Sequence, residues 1–348
     1  KQKKFQEAEH PLLKVIELKP DFVDAHLNLG GIYKDLGKLQ EAEVSLRKAI
    51  ELKPDLAEAY VNLGSIFSNI GKLEQAETST RKAIDLNPNL ANAHFNLASI
   101  LLQLGKVKEA TDSSLKAIEL NPNEAIYHST MGNILRIGGK FYEAISCFKK
   151  ALAIDNSLSI AKSGLLRCEA YICDWTSFTL RQSWLESLGI ESEAIEPLAP
   201  MSYQDDPYKH LIRAKNYYQK TFYSKQENVT SQIKNKIRIG YFSADFFDHA
   251  TMHLMIRIFE LHNKNEFDIY AYDYGKYIED DMTKRLKFNV SIYRNIKDLT
   301  DEEVIVLSRK DDLDIAVDLK GYTFRSRLTI FAQRVAPVQI SYLGYPGS

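Results

Sequence analysis

Several features are scarce in this chain of 348 residues, and each scarcity narrows what it can be. Cysteine occurs three times, at Cys147, Cys168 and Cys173, an odd count with no C-x-x-C spacing. That argues against a disulfide framework or a zinc site and for reduced thiols in a cytoplasmic protein. No apolar run approaches the ~18 residues of a membrane-spanning helix, and the first residues do not form a signal peptide. Neither sign of charge dominates: 45 Lys and Arg stand against 46 Asp and Glu. A nucleic acid or an anionic membrane usually selects a basic patch or tail, so neither is expected as a partner. The dinucleotide fingerprint G-x-G-x-x-G, the P-loop and the zinc-binding H-E-x-x-H are all missing. An initiating Met is missing too. The chain starts at Lys1 inside a repeat and stops at Ser348 after a Gly-rich turn, so both ends read as cuts through a longer protein.

What is present is a period. Glycines recur every 34 residues at Gly37, Gly71, Gly105 and Gly139, each followed by Lys. Prolines do so at Pro20, Pro54, Pro88 and Pro122. Alanines follow at Ala42, Ala76, Ala110 and Ala144, and again at Ala49, Ala83, Ala117 and Ala151. Self-similarity of this length is the mark of a repeat array. Each unit reads as two helices: Gly supplies the left-handed residue that ends the first, Pro ends the second, and Ala sits where helices approach closely. Leu29, Gly30, Tyr33, Ala42, Ala49 and Pro54 fit the tetratricopeptide consensus, as do Tyr60, Leu63, Gly64, Phe67, Ala76, Ala83 and Pro88. A partial unit up to Pro20 is expected, then units near 21–54, 55–88, 89–122 and 123–156, the last degenerate, with Asn156 in place of proline.

A solenoid of such hairpins has a concave groove lined by first helices. Asn28, Asn62 and Asn96 fall in register there, followed by Thr130. Asparagine is a middling helix former, so three in register need a reason. One reason is a ladder of amides that hydrogen-bond an extended peptide, since each offers two donors and an acceptor. The other is that they tie neighbouring repeats together or face water.

The repeat array is assigned to 1–156 and a helical linker region to 157–235. Helices are expected from Ser177 to Leu188 and from Pro207 to Phe222, with a loop from Ile190 to Pro207 between them. From Lys236 the period changes. Short β-rich runs at 236–242, 267–274, 290–293, 314–319 and 338–342 alternate with helical patterns, one opened by a Thr300–Glu303 capping box. Alternation of this kind implies parallel β-α-β units in a Rossmann-like lobe over 236–348. The fold class is thus an α-solenoid followed by an α/β lobe.

Open α/β sheets bind ligands at the carboxyl ends of their strands. Three such ends are distinctive: Ser243-Ala-Asp-Phe-Phe-Asp-His-Ala-Thr-Met-His253, Lys320-Gly-Tyr-Thr323 and Leu343-Gly-Tyr-Pro-Gly347. His249 and His253 have the i, i+4 spacing of a zinc pair, but no third ligand is evident, so no metal is expected. Taken alone, either histidine reads as a surface or capping residue; the sharper reading puts Asp245 and His249 at a strand end facing a ligand, with an imidazole able to exchange a proton near neutral pH. For His253, packing is expected.

At these residues the sequence resembles the O-GlcNAc transferase and SPINDLY family of glycosyltransferases, above all its bacterial members. The resemblance runs from the repeats through Cys173-Asp-Trp175 and the Asp205-Asp-Pro207 helix. It is strongest over Gly240–Asp245, His253–Met255, Asp318–Thr323, Ala336–Gln339 and Leu343–Gly347. It implies the first half of a two-lobe GT-B enzyme that moves one sugar, with inversion, to a Ser or Thr hydroxyl of a protein. It implies Asp245 and His249 as proton acceptor or supports of the reacting groups. It places Thr251, Tyr322, Leu343, Gly344 and Pro346 near sugar and acceptor, and Asn28, Asn62 and Asn96 against a peptide in the groove. No cofactor is implied beyond the sugar nucleotide, expected to be UDP-GlcNAc. The family's second lobe, with most nucleotide contacts, would lie after Ser348, so this stretch alone is expected to be inactive. The animal members' histidine pair before the linker helix is replaced here by Pro197-Leu-Ala-Pro200. An O-fucosyltransferase using GDP-fucose and a non-catalytic tetratricopeptide scaffold are the alternatives, and homodimerisation through the repeats is left open.

Overall fold

The computed structural model describes residues 2–221, 229–230, 234–276, 278–323 and 326–343, with side chains from residue 8 onward. The chain forms two compact units, Lys1–Thr176 and Ser177–Ser348.

The first unit is helical. It comprises α1 (Gln2–Leu18), α2 (Val23–Asp35), α3 (Leu39–Leu52), α4 (Ala57–Asn69), α5 (Leu73–Leu86), α6 (Ala91–Gln103), α7 (Val107–Leu120), α8 (Ala125–Ile137), α9 (Phe141–Ile154) and α10 (Ser159–Tyr171). Hairpins α2/α3, α4/α5, α6/α7 and α8/α9 stack in sequence, and α10 packs on α8 and α9, so the stack runs on past Asn156.

The periodic residues now have physical causes. Gly37, Gly71, Gly105 and Gly139 adopt φ between 75° and 77°, where a Cβ is disfavoured. The Lys after each glycine closes the turn: Lys38 N–H donates to Tyr33 O at 2.8 Å, and Lys72, Lys106 and Lys140 repeat the bond. This six-residue closure satisfies carbonyls that a helix end leaves open. The alanines of both series are 0–1% exposed, so a larger side chain there would overpack the helix contact.

A second registered contact locks each hairpin. A Cβ built at Gly30, Gly64 or Gly132 would lie 2.5, 2.2 or 2.8 Å from Leu46, Thr80 or Phe148 respectively. In the remaining unit the glycine becomes Ala98, and the facing series Leu46, Thr80, Phe148 becomes Ser114. Glycine faces Leu, Thr or Phe in three units, and an Ala–Ser pair stands in the fourth. The loops are fastened by histidines. His26, His94 and His128 place Nε2 2.7, 2.9 and 2.8 Å from the carbonyls of Pro20, Pro88 and Pro122. A carbonyl only accepts, so these rings carry their proton on Nε2.

At the start of the array lies a hollow of about 650 Å³ lined by Ala8, Pro11, Leu12, Leu27, Asn28, Gly31, Ile32, Asp35 and Asn62. It is apolar apart from two of the registered asparagines and Asp35.

The second unit begins with α11 (Phe178–Leu185), α12 (Leu198–Met201) and α13 (Pro207–Thr221). The expected loop between 190 and 207 therefore contains a short helix. Arg213 on α13 organises this region. It is fully buried, and its guanidinium donates to Leu188 O at 2.9 Å, Leu185 O at 2.5 Å and Gln204 Oε1 at 2.8 Å. A buried guanidinium is tolerated when its donors are paired.

The sheet follows. Strands β1 (Ile237–Ser243), β2 (Phe267–Asp273), β3 (Ile292–Asn295), β4 (Ile315–Asp318) and β5 (Val338–Ser341) alternate with α14 (Ala250–Leu261), α15 (Asp281–Asn289), α16 (Asp301–Lys310) and α17 (Leu328–Ala332). All pairings are parallel, in the order β3-β2-β1-β4-β5. Successive side chains of a strand point to opposite faces. Ile239 and Tyr241 join Met252, Met255, Phe259 and Leu286 on one face. Phe242 joins Tyr272, Val304, Leu313 and Ile330 on the other. The result is a three-layer lobe. The Thr300–Glu303 capping box is formed.

Candidate functional site

Strands β2 and β3 lie to one side of β1, and β4 and β5 to the other. The strand order thus reverses between β1 and β4, and sheets of this kind open a crevice at the carboxyl ends of that pair. The β1 end carries Asp245 and His249. The β4 end carries Asp318, Lys320 and Tyr322.

The loop after β1 is held from below. Asp245 N–H donates to Ser243 Oγ at 3.0 Å. Thr283 Oγ1 donates to Phe246 O at 2.8 Å, and Asp280 accepts the N–H groups of Asp248 and Thr283. Desolvation works against ionised Asp280, but these donors outweigh it and hold its carboxyl below the usual range. Gly275, after β2, lets the chain pass close by; a Cβ there would lie 2.0 Å from Ala244 O.

The loop after β4 is wound by Asp318. Its two oxygens accept the N–H groups of Lys320 and Gly321, each at 2.9 Å. Thr323 Oγ1 donates back to Lys320 O at 2.7 Å. Lys320 Nζ then donates to Asp245 Oδ2 at 2.7 Å, with Asp245 8% and Lys320 9% exposed. Two further carboxyls sit at these strand ends. Burial lifts both Asp318 and Asp273 above the usual carboxyl range. Backbone donors oppose this in both cases, Tyr293 also opposes it at Asp273, and Lys320 opposes it at Asp318.

His249 is the residue before α14 and caps that helix. Thr251 N–H donates to His249 Nδ1 at 3.2 Å, and Thr251 Oγ1 lies 3.1 Å from the same atom. Asp245 Oδ2 is 3.7 Å from Nδ1, beyond hydrogen-bond range. His253 does not pack inward as expected. Its ring is exposed and sits 2.7 Å from Asp248 Oδ1. The helix turn past the cap points it to solvent.

Tyr322 stands edge-on to Tyr217, ring centroids 5.8 Å apart, beside a hollow of about 360 Å³ whose other walls include Tyr218, Phe331 and Gln339. Leu343 follows β5 with φ +65°, a left-handed conformation uncommon outside glycine. Gly344 and Pro346 lie outside the described residues. Asp245, His249, Thr251, Tyr322 and Leu343 therefore occupy the carboxyl ends of three neighbouring strands, β1, β4 and β5. Of the registered asparagines, Asn62 Oδ1 accepts from Lys34 Nζ at 3.1 Å and Asn96 Nδ2 donates to Ser65 Oγ at 2.9 Å, while Asn28 is exposed. The sequence places Lys320 in a distinctive strand end but assigns it no role. The available signal was a lysine directly behind an apolar strand end, Val317-Asp-Leu-Lys320.

Comparison with known proteins agrees with this architecture. Residues 211–348 match the model of glycosyl transferase family 41. Tetratricopeptide repeat models match residues 30–71, 57–90, 80–112 and 127–158. Two curated relatives are each named probable UDP-N-acetylglucosamine--peptide N-acetylglucosaminyltransferase. SEC of Arabidopsis thaliana is 30% identical over 32% of this chain and 12% of its own length. SPINDLY of Oryza sativa subsp. japonica is 29% identical over 43% of this chain and 17% of its own length. The matched stretch is thus a small part of either relative. Among solved structures, a mutant O-GlcNAc transferase of Thermobaculum terrenum aligns with 82% of this chain and 50% of its own, at 24% identity and a TM-score of 0.45. No helix among the described residues is long and apolar enough to cross a membrane. The chain carries tetratricopeptide repeats followed by a segment that matches the glycosyl transferase family 41 model, and resembles the O-GlcNAc transferase and SPINDLY glycosyltransferases.

Proposed function

We propose that the protein transfers N-acetylglucosamine from UDP-GlcNAc to Ser or Thr hydroxyls of proteins recruited by its repeats, in the cytoplasm and with inversion at the anomeric carbon. The observation that carries this reading is the family 41 match over 211–348, whose residues include a carboxylate, an ammonium and an imidazole at the sheet's switch point. The names of the curated relatives supply the donor.

In the transfer, the acceptor oxygen bonds to the anomeric carbon as the bond from that carbon to the diphosphate oxygen breaks. The hydroxyl proton passes to Asp245 or His249, and the diphosphate leaves with the electron pair. Holding the two reactants in line supplies up to roughly 7–11 kcal/mol of the barrier. A positioned base adds a further factor of about 10²–10⁴. Thr251, Tyr322, Leu343, Gly344 and Pro346 are assigned to the sugar and acceptor, and Asn28, Asn62 and Asn96 to the recruited chain.

The test is incubation of the natural full-length protein with UDP-GlcNAc or GDP-fucose and acceptor peptides, followed by mass analysis. A HexNAc increment on Ser or Thr supports the proposal. A fucose increment reassigns the donor. No increment from either donor, with peptide still bound by the repeats, leaves a non-catalytic scaffold.

A further inference from the structure

We propose that Lys320 is a positioning residue of the transfer site: its ammonium fixes the Asp245 carboxylate and so joins the loop after β1 to the loop after β4. The proposal rests on the transferase reading above. It adds a residue to that reading and a reason for where Asp245 stands.

The loop after β4 is built to deliver this ammonium. Asp318 fixes the backbone of Lys320 and Gly321, and Gly321 takes φ +52°. Thr323 holds the Lys320 carbonyl through both its N–H, at 3.2 Å, and its hydroxyl, at 2.7 Å. The side chain then spans from β4 to β1 and ends 2.7 Å from Asp245 Oδ2. The contact joins residues 75 apart in sequence. One loop carries Asp245 and His249 and leads into Thr251 of α14, and the other carries Tyr322. Of the described candidates for the transfer site, all but Leu343 therefore depend on the two loops that this bond connects.

Stability does not explain the pair. A buried ion pair often holds a fold no better than apolar residues of similar volume. What the pair does is assign an oxygen. Lys320 occupies Oδ2, the same oxygen that lies 3.7 Å from His249 Nδ1. The imidazole caps α14, and Asp245 pairs with Lys320 rather than with the histidine four residues on. With the ammonium gone, Asp245 Oδ2 would lose this bond and be left 3.7 Å from His249 Nδ1.

The experiment uses the natural full-length protein with Lys320→Met, Lys320→Arg, Asp245→Asn and the double variant Lys320→Met/Asp245→Asn. The Met variant should lose roughly 10–100-fold in kcat, the scale set by misplacement of about 1 Å. KM for the nucleotide sugar should change less than about threefold, as for an interaction felt mainly in the transition state. The Arg variant should recover part of the loss, because charge and reach are restored. The double variant removes both buried charges, keeps the fold measurable and should be no slower than Asp245→Asn alone. An unchanged kcat in Lys320→Met, or an Arg variant as slow as the Met variant, overturns the proposal. If the wild-type protein transfers no sugar, the functional reading fails first. Lys320 is then judged by amide resonances: Lys320→Met must shift both the 245–251 and 320–323 loops, and a shift confined to 320–323 overturns it.

Discussion

Thr251 donates its backbone N–H to Nδ1 of His249 at 3.2 Å, so the neutral ring carries its proton on Nε2. As a cap, His249 presents an N–H donor outward. As a base acting through Nε2, it would need the other tautomer and would have to release Thr251. The two roles separate by substitution. Asparagine is a good N-cap, and loss of a cap costs about 0.5–2 kcal/mol. His249→Asn should keep the unfolding midpoint of the second unit and still lose turnover, whereas His249→Ala should lose both. Wild-type turnover in the Asn variant would remove the imidazole from the chemistry.

The packing of the repeats makes a sharper prediction than their consensus does. A Cβ at Gly132 would lie 2.8 Å from the Phe148 ring, and Phe148 is fully buried. Gly132→Ala should destabilise the first unit by about 1–3 kcal/mol through overpacking, despite the better helix propensity of alanine. Pairing it with Phe148→Leu should return part of the loss, because the ring gives way to a smaller side chain. Urea unfolding of the single and double variants checks this. Additive losses in the double variant would show that the two positions do not share a contact.

These cases show which parts of the molecule could be read from sequence. The turn bonds of Gly37, Gly71, Gly105 and Gly139 are local and written four times, so the period exposes them. The capping box of Thr300 and Glu303 spans one helical turn and was equally legible. The strands were legible because apolar runs alternate with helical patterns. Arg213 was not, since its carbonyl partners are 25 and 28 residues away and a lone Arg in a Lys- and Tyr-rich helix looks solvated. The Asp245–Lys320 pair was out of reach for the same reason. Sequence placed Asp245 at a strand end; only the order β1-β4 brings the partner loop beside it.

Titration should act in opposite directions on two carboxyls. Burial lifts Asp273 above the ordinary range; Tyr293 and Gly275 oppose this and Asp245 adds to it. A raised folded-state value means a stabilising contribution complete below the unfolded carboxyl value, ~3.9, and lost as pH climbs through the folded value. Glu77 behaves oppositely. The Lys106 ammonium, with Arg81, outweighs desolvation and holds it low, so its contribution is present above the unfolded value and lost as pH falls through the folded one. Between about pH 3.5 and 6, Asp273→Asn should therefore gain on the wild type as pH rises, and Glu77→Gln should lose ground. Unfolding free energies across that window decide it; slopes of the same sign in both variants contradict the assignment.

Of the two roles that sequence left open for the registered asparagines, the structure shows the tie between repeats at two of them. Asn62 and Asn96 each spend part of their amide on a neighbouring repeat, through Lys34 and Ser65. Each retains further capacity: Asn62 its amide donors, Asn96 its carbonyl oxygen. Asn28 is exposed in the hollow of the first repeats and is the freest of the three to meet a peptide. A hydrogen bond nets about 0.5–1.5 kcal/mol, so the triple variant Asn28→Ala/Asn62→Ala/Asn96→Ala should weaken acceptor-peptide binding by roughly 10–1,000-fold. The inter-repeat bonds it removes are only partly buried, so the unfolding midpoint should move little. Calorimetric titration of an acceptor peptide, beside urea unfolding, separates the roles. Unchanged affinity with a clear loss of stability would make the asparagines ties between repeats. Lost affinity at constant stability would place a polypeptide along the groove, with Asn28 carrying the largest single effect.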